Sequence, residues 1–174
     1  MNVTKTFIEG VLILEPAVHK DRRGFVYESF RENEYNELCG KFVQDNISLA
    51  RKNVLKGLHY SKHQSQLIGV AYGEIYDVVT DLRKNSKTFK RHFSIQLNSD
   101  NPKQIYMPNG CAHGLYVLSD LAVISYKCSR YYDISDDLSI RWDDQELNIN
   151  WPISSGPIVS DKDSKAEMFA NVQL

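Results

Sequence analysis

The chain has 174 residues and a mass of 20.0 kDa, room for one ordinary domain and too little for two comfortable ones. Its 21 Lys and Arg against 22 Asp and Glu leave a net charge of −1, without the basic surface that nonspecific nucleic-acid binding needs. No apolar run approaches the roughly 20 residues that span a bilayer, and no basic flank precedes a signal-peptide core. Three cysteines, Cys39, Cys111 and Cys128, form no CxxC pair, so reduced thiols and a cytoplasmic location are expected.

Period two dominates from the first informative segment onward. FVYESF (25–30) alternates as a short strand. RENEYNELCGKF (31–42) reads as the one helix, near residues 31–39, with Tyr35, Leu38 and Cys39 as its apolar face and Gly40 as its C-cap. GEIYDVVTDLR (73–83) places Ile75, Asp77 and Val79 on one side of a strand and Tyr76, Val78 and Thr80 on the other. RHFSIQL (91–97) aligns Phe93, Ile95 and Leu97, and HGLYVLSDLAVISYKC (113–128) reads as two strands turning at Ser119 and Asp120. SIRW (139–142) is a further short run. In WDDQELNINWP (142–152), Trp142 and Trp151 read as architectural and Pro152 as the stop of a strand. With no series of amphipathic helices to alternate with seven or more strands, the expectation is an all-β sandwich or small barrel.

Chemistry in such a shell comes from side chains that strands point inward. Reactive types crowd into GLHYSKH (57–63), MPNGCAHG (107–114) and SYKCSRYY (125–132). Of five histidines, His19 and His92 read as satisfied by packing or solvent. His59 and His113 each follow a Gly-containing bend and precede a strand, which suits two rings entering one cavity. His59, His63, His113 and Glu74 carry atoms that a metal accepts, and Pro108-x-Gly110-x-x-His113 resembles half of a cupin pattern. The HxH pair of a metal-binding cupin is missing, because Tyr60 and Ser61 follow His59, and His59 and His63 read as lying in a loop. No metal is expected. Tyr131 and Tyr132 read first as packing or interface residues.

The ordered set DRRGFVYESF, FVQDNIS, VLKGLHY, GEIYDVVTDLRKNSKTF, MPNGCAHGLYVLSD, YKCSRYYD, IRWDD and SDKD resembles the dTDP-4-dehydrorhamnose 3,5-epimerase family across nearly the whole chain. That resemblance implies a cupin-like jelly roll of two antiparallel sheets, one domain over residues 1–174, acting on a nucleotide-diphospho-4-keto-6-deoxy sugar with no metal or nicotinamide cofactor. It implies His59 as base, Asp163 of SDKD as the carboxylate that orients it, and Tyr126 of YKC as acid. His113, Arg23, Phe25, Glu28, Gln44, Asn46, Lys56 and Gln66 fall on substrate-binding positions. It also implies a homodimer in which residues 1–30 reach the partner's active site through Arg23 and Phe25.

The chemistry fits those residue types. A C4 ketone acidifies the protons on C3 and C5; imidazole, with a pKa near 6.5, suits their removal, and inversion needs a separate acid on the other face of the ring. The chain also departs from the family. Relatives read LRGLHYQ where this chain has Lys56 and Ser61, and KHQSQLIGV (62–70) is a shortened loop in which Gln66 replaces the family's lysine beside the developing enolate. A C3-only or C5-only epimerase, an epimerase of a GDP-linked heptose or other nucleotide sugar, and a non-catalytic sugar-binding cupin therefore stand as alternatives.

Overall fold

The computed structural model describes all 174 residues. Thirteen strands form two large antiparallel sheets and a separate hairpin. One sheet has six strands in the order β1 (Asn2–Lys5), β2 (Leu12–Glu15), β10 (Gln104–Met107), β7 (Gln66–Tyr72), β12 (Leu121–Cys128) and β5 (Gln44–Arg51). The other has five: β13 (Leu138–Ser139), β6 (Leu55–Tyr60), β11 (Cys111–Val117), β8 (Glu74–Asp81) and β9 (His92–Asn98). The hairpin pairs β3 (Val18–Asp21) with β4 (Gly24–Tyr27). This is the mostly antiparallel, cupin-like jelly roll that the alternation and the resemblance imply.

The main core lies between the large sheets. Ile68, Val70, Ile105 and Ile124 of the six-stranded sheet meet Ile75, Val79, Leu97 and Val117 of the five-stranded one. The second face of the five-stranded sheet is also covered. There Leu58, Val78 and Tyr116 pack under Ile140, Leu147, Trp151 and Phe169 from the C-terminal part of the chain. That explains β8, in which both alternating rows are largely buried, the buried Asp77 and Asp81 included: each row faces a core. The C-terminal layer has almost no regular structure and is tied by a buried carboxylate. Asp144 Oδ1 accepts from the backbone N–H groups of Glu146 and Leu147, both at 2.9 Å, and Oδ2 accepts from Phe169 at 2.7 Å.

The helix α1 spans Glu32–Cys39 and ends at Gly40, whose φ of 76° is the left-handed conformation that suits glycine. It buries Tyr35 and Cys39 beside Leu14 and Leu67. Leu38 is exposed, contrary to the expected face, because Tyr35 and Cys39 at i and i+4 already define the buried stripe. Other expectations shift as well. The strands on either side of Ser119 and Asp120 belong to different sheets, so that turn crosses the sandwich and closes no hairpin. Of the 139–142 run only Ser139 lies in a strand, β13, while β4 stops at Tyr27 and no strand precedes Pro152. No helix is long and apolar enough to cross a membrane. The accessible surface, 9746 Å², exceeds by about 12% the roughly 8,700 Å² expected of a compact chain of this mass. The β3–β4 hairpin contributes to that excess, with Arg22 to Val26 all exposed.

Candidate active site

Where the apolar core ends, the space between the sheets opens into a cavity of about 1000 Å³. One wall is the five-stranded sheet. His59 on β6 and His113 on β11 are register partners across adjacent strands, so both imidazoles stand side by side on that wall. His59 therefore sits on a strand and not in the expected loop. Of the three β6 residues that line the cavity, Lys56, His59 and Tyr60, the first two stand three apart, and in a regular strand such positions face opposite ways. The register explains the exception: Gly57 pairs with Gly114 and His59 with His113, leaving Leu58 as an extra residue in a bulge. Gly57 has a φ of 113°, and a Cβ there would stand 2.6 Å from the carbonyl oxygen of His113. Only glycine permits that approach.

Each imidazole has its own carboxylate. His59 Nε2–H donates to Asp163 Oδ1 at 2.8 Å. Asp163 sits on α2 (Asp161–Ser164), a short turn started by Ser160, whose Oγ accepts from the Asp163 N–H at 3.1 Å. The Gly57 N–H donates to Asp163 Oδ2 at 3.3 Å. Burial pushes the Asp163 carboxyl up, but the His59 bond and charge, with the Gly57 and Ser160 contacts, outweigh it and hold the group below the usual carboxylate value. His113 Nε2–H donates to Asp77 Oδ2 at 2.7 Å, with Asp77 wholly buried.

The facing wall belongs to the six-stranded sheet. Tyr126 on β12, Gln66 on β7, and Gln44 and Asn46 on β5 line the cavity from that side. Burial, with Cys128 and the Asp137 charge nearby, raises the Tyr126 phenol above its ordinary value of 10.0, so the hydroxyl keeps its proton at neutral pH. Gln66 Nε2 donates to Gln64 Oε1 at 2.8 Å. The Lys56 ammonium crosses between the sheets to Ser48 Oγ on β5; burial lowers its pKa, with the Asp163 charge pulling the other way.

Not every expected site residue reaches this cavity. Arg23, Phe25 and Glu28 lie outside its lining; Arg23 pairs with Asp21 at 2.6 Å, and Glu28 with Arg31 at 2.5 Å. Conversely, the cavity holds two carboxylates the sequence did not single out, Asp136 and Asp137. Ser61 Oγ donates to Asp136 Oδ2 at 2.5 Å and also receives the Gln64 N–H at 2.9 Å, which ties the shortened loop to the segment after β12. Tyr132 is exposed on the cavity lip instead of packed, its hydroxyl donating to Asp137 Oδ2 at 3.0 Å. Behind the lining, the role of Asp77 had a signal: a carboxylate alternating with Ile75 and Val79 on a core-facing row needs a partner. No three His, Cys, Asp or Glu side chains converge closely enough to hold a metal ion.

The sequence model of the dTDP-4-dehydrorhamnose 3,5-epimerase family matches residues 5–171. The dTDP-4-dehydrorhamnose 3,5-epimerase of Escherichia coli is 44% identical over 171 residues, covering 95% of this chain and 92% of the relative. The crystal structure of a dTDP-6-deoxy-D-glucose-3,5-epimerase from Legionella pneumophila superposes with a TM-score of 0.94 at 41% identity, covering 99% of this chain and 94% of that one. A 3'-monoepimerase from Streptomyces bikiniensis superposes at 0.89 with 30% identity, covering 95% and 86%. With the family's pattern matched from end to end and its fold reproduced, the chain belongs to the cupin-like dTDP-4-dehydrorhamnose 3,5-epimerase family of nucleotide-sugar isomerases.

Proposed function

We propose that the protein inverts C3 and C5 of a nucleotide-diphospho-4-keto-6-deoxy sugar, in chemistry of the type that converts dTDP-4-dehydro-6-deoxyglucose to dTDP-4-dehydrorhamnose. One observation carries this reading: the His59–Asp163 pair and the Tyr126 phenol stand on opposite walls of one cavity. His59 takes a proton from the carbon beside the C4 ketone, and Asp163 fixes the ring and stabilises the imidazolium that forms. Tyr126 returns a proton from the other face, which inverts the centre. Gln44, Asn46, Lys56, Gln66 and His113 bind substrate around those groups. The Legionella relative was crystallised with dTDP-4-keto-L-rhamnose, which supports a thymidine-linked substrate.

The second half of the reading is a homodimer. Arg23, Phe25 and Glu28 lie on or beside an exposed hairpin away from their own cavity, in keeping with service to the partner's site. Sedimentation at micromolar concentration is expected to give about twice the 20.0 kDa chain mass. A stable, fully active monomer would refute it.

A narrower reading, inversion at C3 alone or C5 alone, is favoured by Gln66: a neutral amide already engaged by Gln64 stands where relatives carry lysine. Proton NMR in D₂O with matched thymidine-linked and guanosine-linked 4-keto sugars separates these readings. Exchange at both carbons with the thymidine substrate is expected. Exchange at one carbon selects the narrower reading, and none with either substrate rejects the epimerase.

A further inference from the structure

Resting on the epimerase reading above, we infer that Lys56 is a catalytic residue: its ammonium is the cation that receives the enolate oxygen. The argument begins with where that oxygen must be. If base and acid act on opposite faces of a sugar ring, the C4 oxygen lies in the plane between them. In this cavity that plane lies between the two sheets, and Lys56 is the side chain that bridges it, rooted on β6 two residues before the bulge and bonded to Ser48 on β5. Tyr126 and His59 approach from the two walls it connects.

The charge inventory points to the same group. Lys56 and Arg130 are the only Lys or Arg side chains lining the cavity, and Arg130 is exposed at the surface. Lys127, a neighbour of Tyr126 in sequence, is outside the lining and is neutralised by Asp45 at 2.7 Å. Lys56 has no carboxylate within ion-pairing distance and is only partly open to solvent. An ammonium held that way, with a hydroxyl as its sole protein partner, is left to pair with an anion that comes and goes. Gln66 gives one of its two amide N–H groups to Gln64 and, being neutral, can offer the oxygen a hydrogen bond but no positive charge.

The step balances without any further reactant. His59 removes the proton from C3 or C5, the C–H electron pair becomes the ring C=C bond, and the C4 carbonyl π pair moves onto oxygen beside the Lys56 ammonium. Collapse of that enolate takes the Tyr126 proton on the opposite face and restores the ketone. The proton on His59 and the one missing from Tyr126 then equilibrate with solvent. Lys56 keeps all its protons throughout and acts through charge alone, most strongly where the oxygen is most negative.

The test uses the full chain, Lys56→Met, Lys56→Gln and Lys56→Arg, the thymidine-linked 4-keto-6-deoxy sugar, and dTDP as a ligand with no ketone. Both uncharged variants are expected to lose C–H exchange and inversion together, by about 10²–10³-fold in kcat. Their KM, and their affinity for dTDP by calorimetry, should stay within about threefold, and Lys56→Arg should recover most of the exchange. Exchange at the wild-type rate in Lys56→Met and Lys56→Gln overturns the inference. So does a loss of dTDP affinity that matches the loss of rate while Lys56→Arg binds normally, because that outcome puts the ammonium on the diphosphate. Failure of the wild-type protein to exchange any proton would reject the epimerase reading itself and is read before any variant is made.

Discussion

Two imidazole–carboxylate pairs stand on adjacent strands within the same wall, yet they are built in different ways. The His59 side chain is 42% exposed to the cavity, whereas that of His113 is 13% exposed. Asp163 arrives from outside the sheet, on a turn 104 residues away, and is held by Gly57 and Ser160 as well as by His59. Asp77 comes from the neighbouring strand β8, and its Oδ1 has no hydrogen-bond partner. The first pair has a carboxylate that stays satisfied while its histidine works on something else. The second has a carboxylate that depends on its histidine. In the proposed reaction the first arrangement suits proton transfer, while the second also ties two strands of the wall together.

Substitutions should separate the pairs. His59→Ala is expected to abolish both solvent exchange and inversion, with little change in the unfolding midpoint, since Asp163 keeps its other donors. Measurable exchange in that variant would move the base elsewhere. Tyr126→Phe leaves the ring in place and removes only the acid, so inversion should fall by about 10²–10⁴-fold while exchange from the His59 face continues in D₂O. Inversion at the wild-type rate would displace Tyr126 from the mechanism. Asp163→Asn should cut turnover by less than His59→Ala does, because a misaligned base remains; equal kinetics to wild type would remove Asp163 from the dyad.

At His113, which also lines the cavity, a loss of stability is expected in addition to any loss of binding. His113→Leu strands Asp77 as a buried charge and should cost about 3 kcal/mol in urea unfolding. Adding Asp77→Leu should restore part of it; a double variant no more stable than the single one would show that the pair is not the source.

The smallest expected effect is in acid. Asp81 is wholly buried. Burial raises its carboxyl, but hydrogen bonds from Arg83, Ser86 and Thr88 prevail and bring it from 3.8 down to about 2. A depressed carboxylate contributes stability above its unfolded pKa and loses it as pH falls through the folded one. Asp81 should therefore account for about 2 kcal/mol lost between about pH 4 and pH 2. Asp163, also lowered, adds in the same direction. Asp81→Asn should flatten that limb, and an unchanged acid profile would contradict it.

How far the sequence carried each part depended on the range of the interactions. Alternation in 73–83 and 91–97 was enough to find β8 and β9 and to sort their side chains onto two faces. Gly-flanked His59 and His113 suggested one cavity, and they are register partners. Parity misleads at Leu58, because a bulge is set by the close approach of Gly57 to Gly114 across the sheet and leaves no periodic trace. Asp163 was reachable only through family resemblance, since nothing local marks a carboxylate that meets its histidine across 104 residues. Ser48 was missed because a serine in an alternating strand looks like any solvated position until Lys56 crosses the sandwich to it. The C-terminal layer was equally illegible: its order comes from Asp144 joining two neighbouring N–H groups to that of Phe169, 25 residues on, with no repeat to read.

Gly57 has a bearing on how this protein tolerates change. It carries no functional group, yet it holds the reversed parity that turns Lys56 and His59 to the same side, and it gives its N–H to Asp163. Any added carbon meets main-chain atoms of β11, at 2.6 Å from the His113 oxygen and 2.7 Å from the Gly114 Cα, where no rotamer offers relief. Mutational robustness is therefore poorest at an atom-poor position. Inherited variation can reach the chemical groups one at a time, whereas a single replacement at Gly57 disturbs the lysine, the histidine and the carboxylate together.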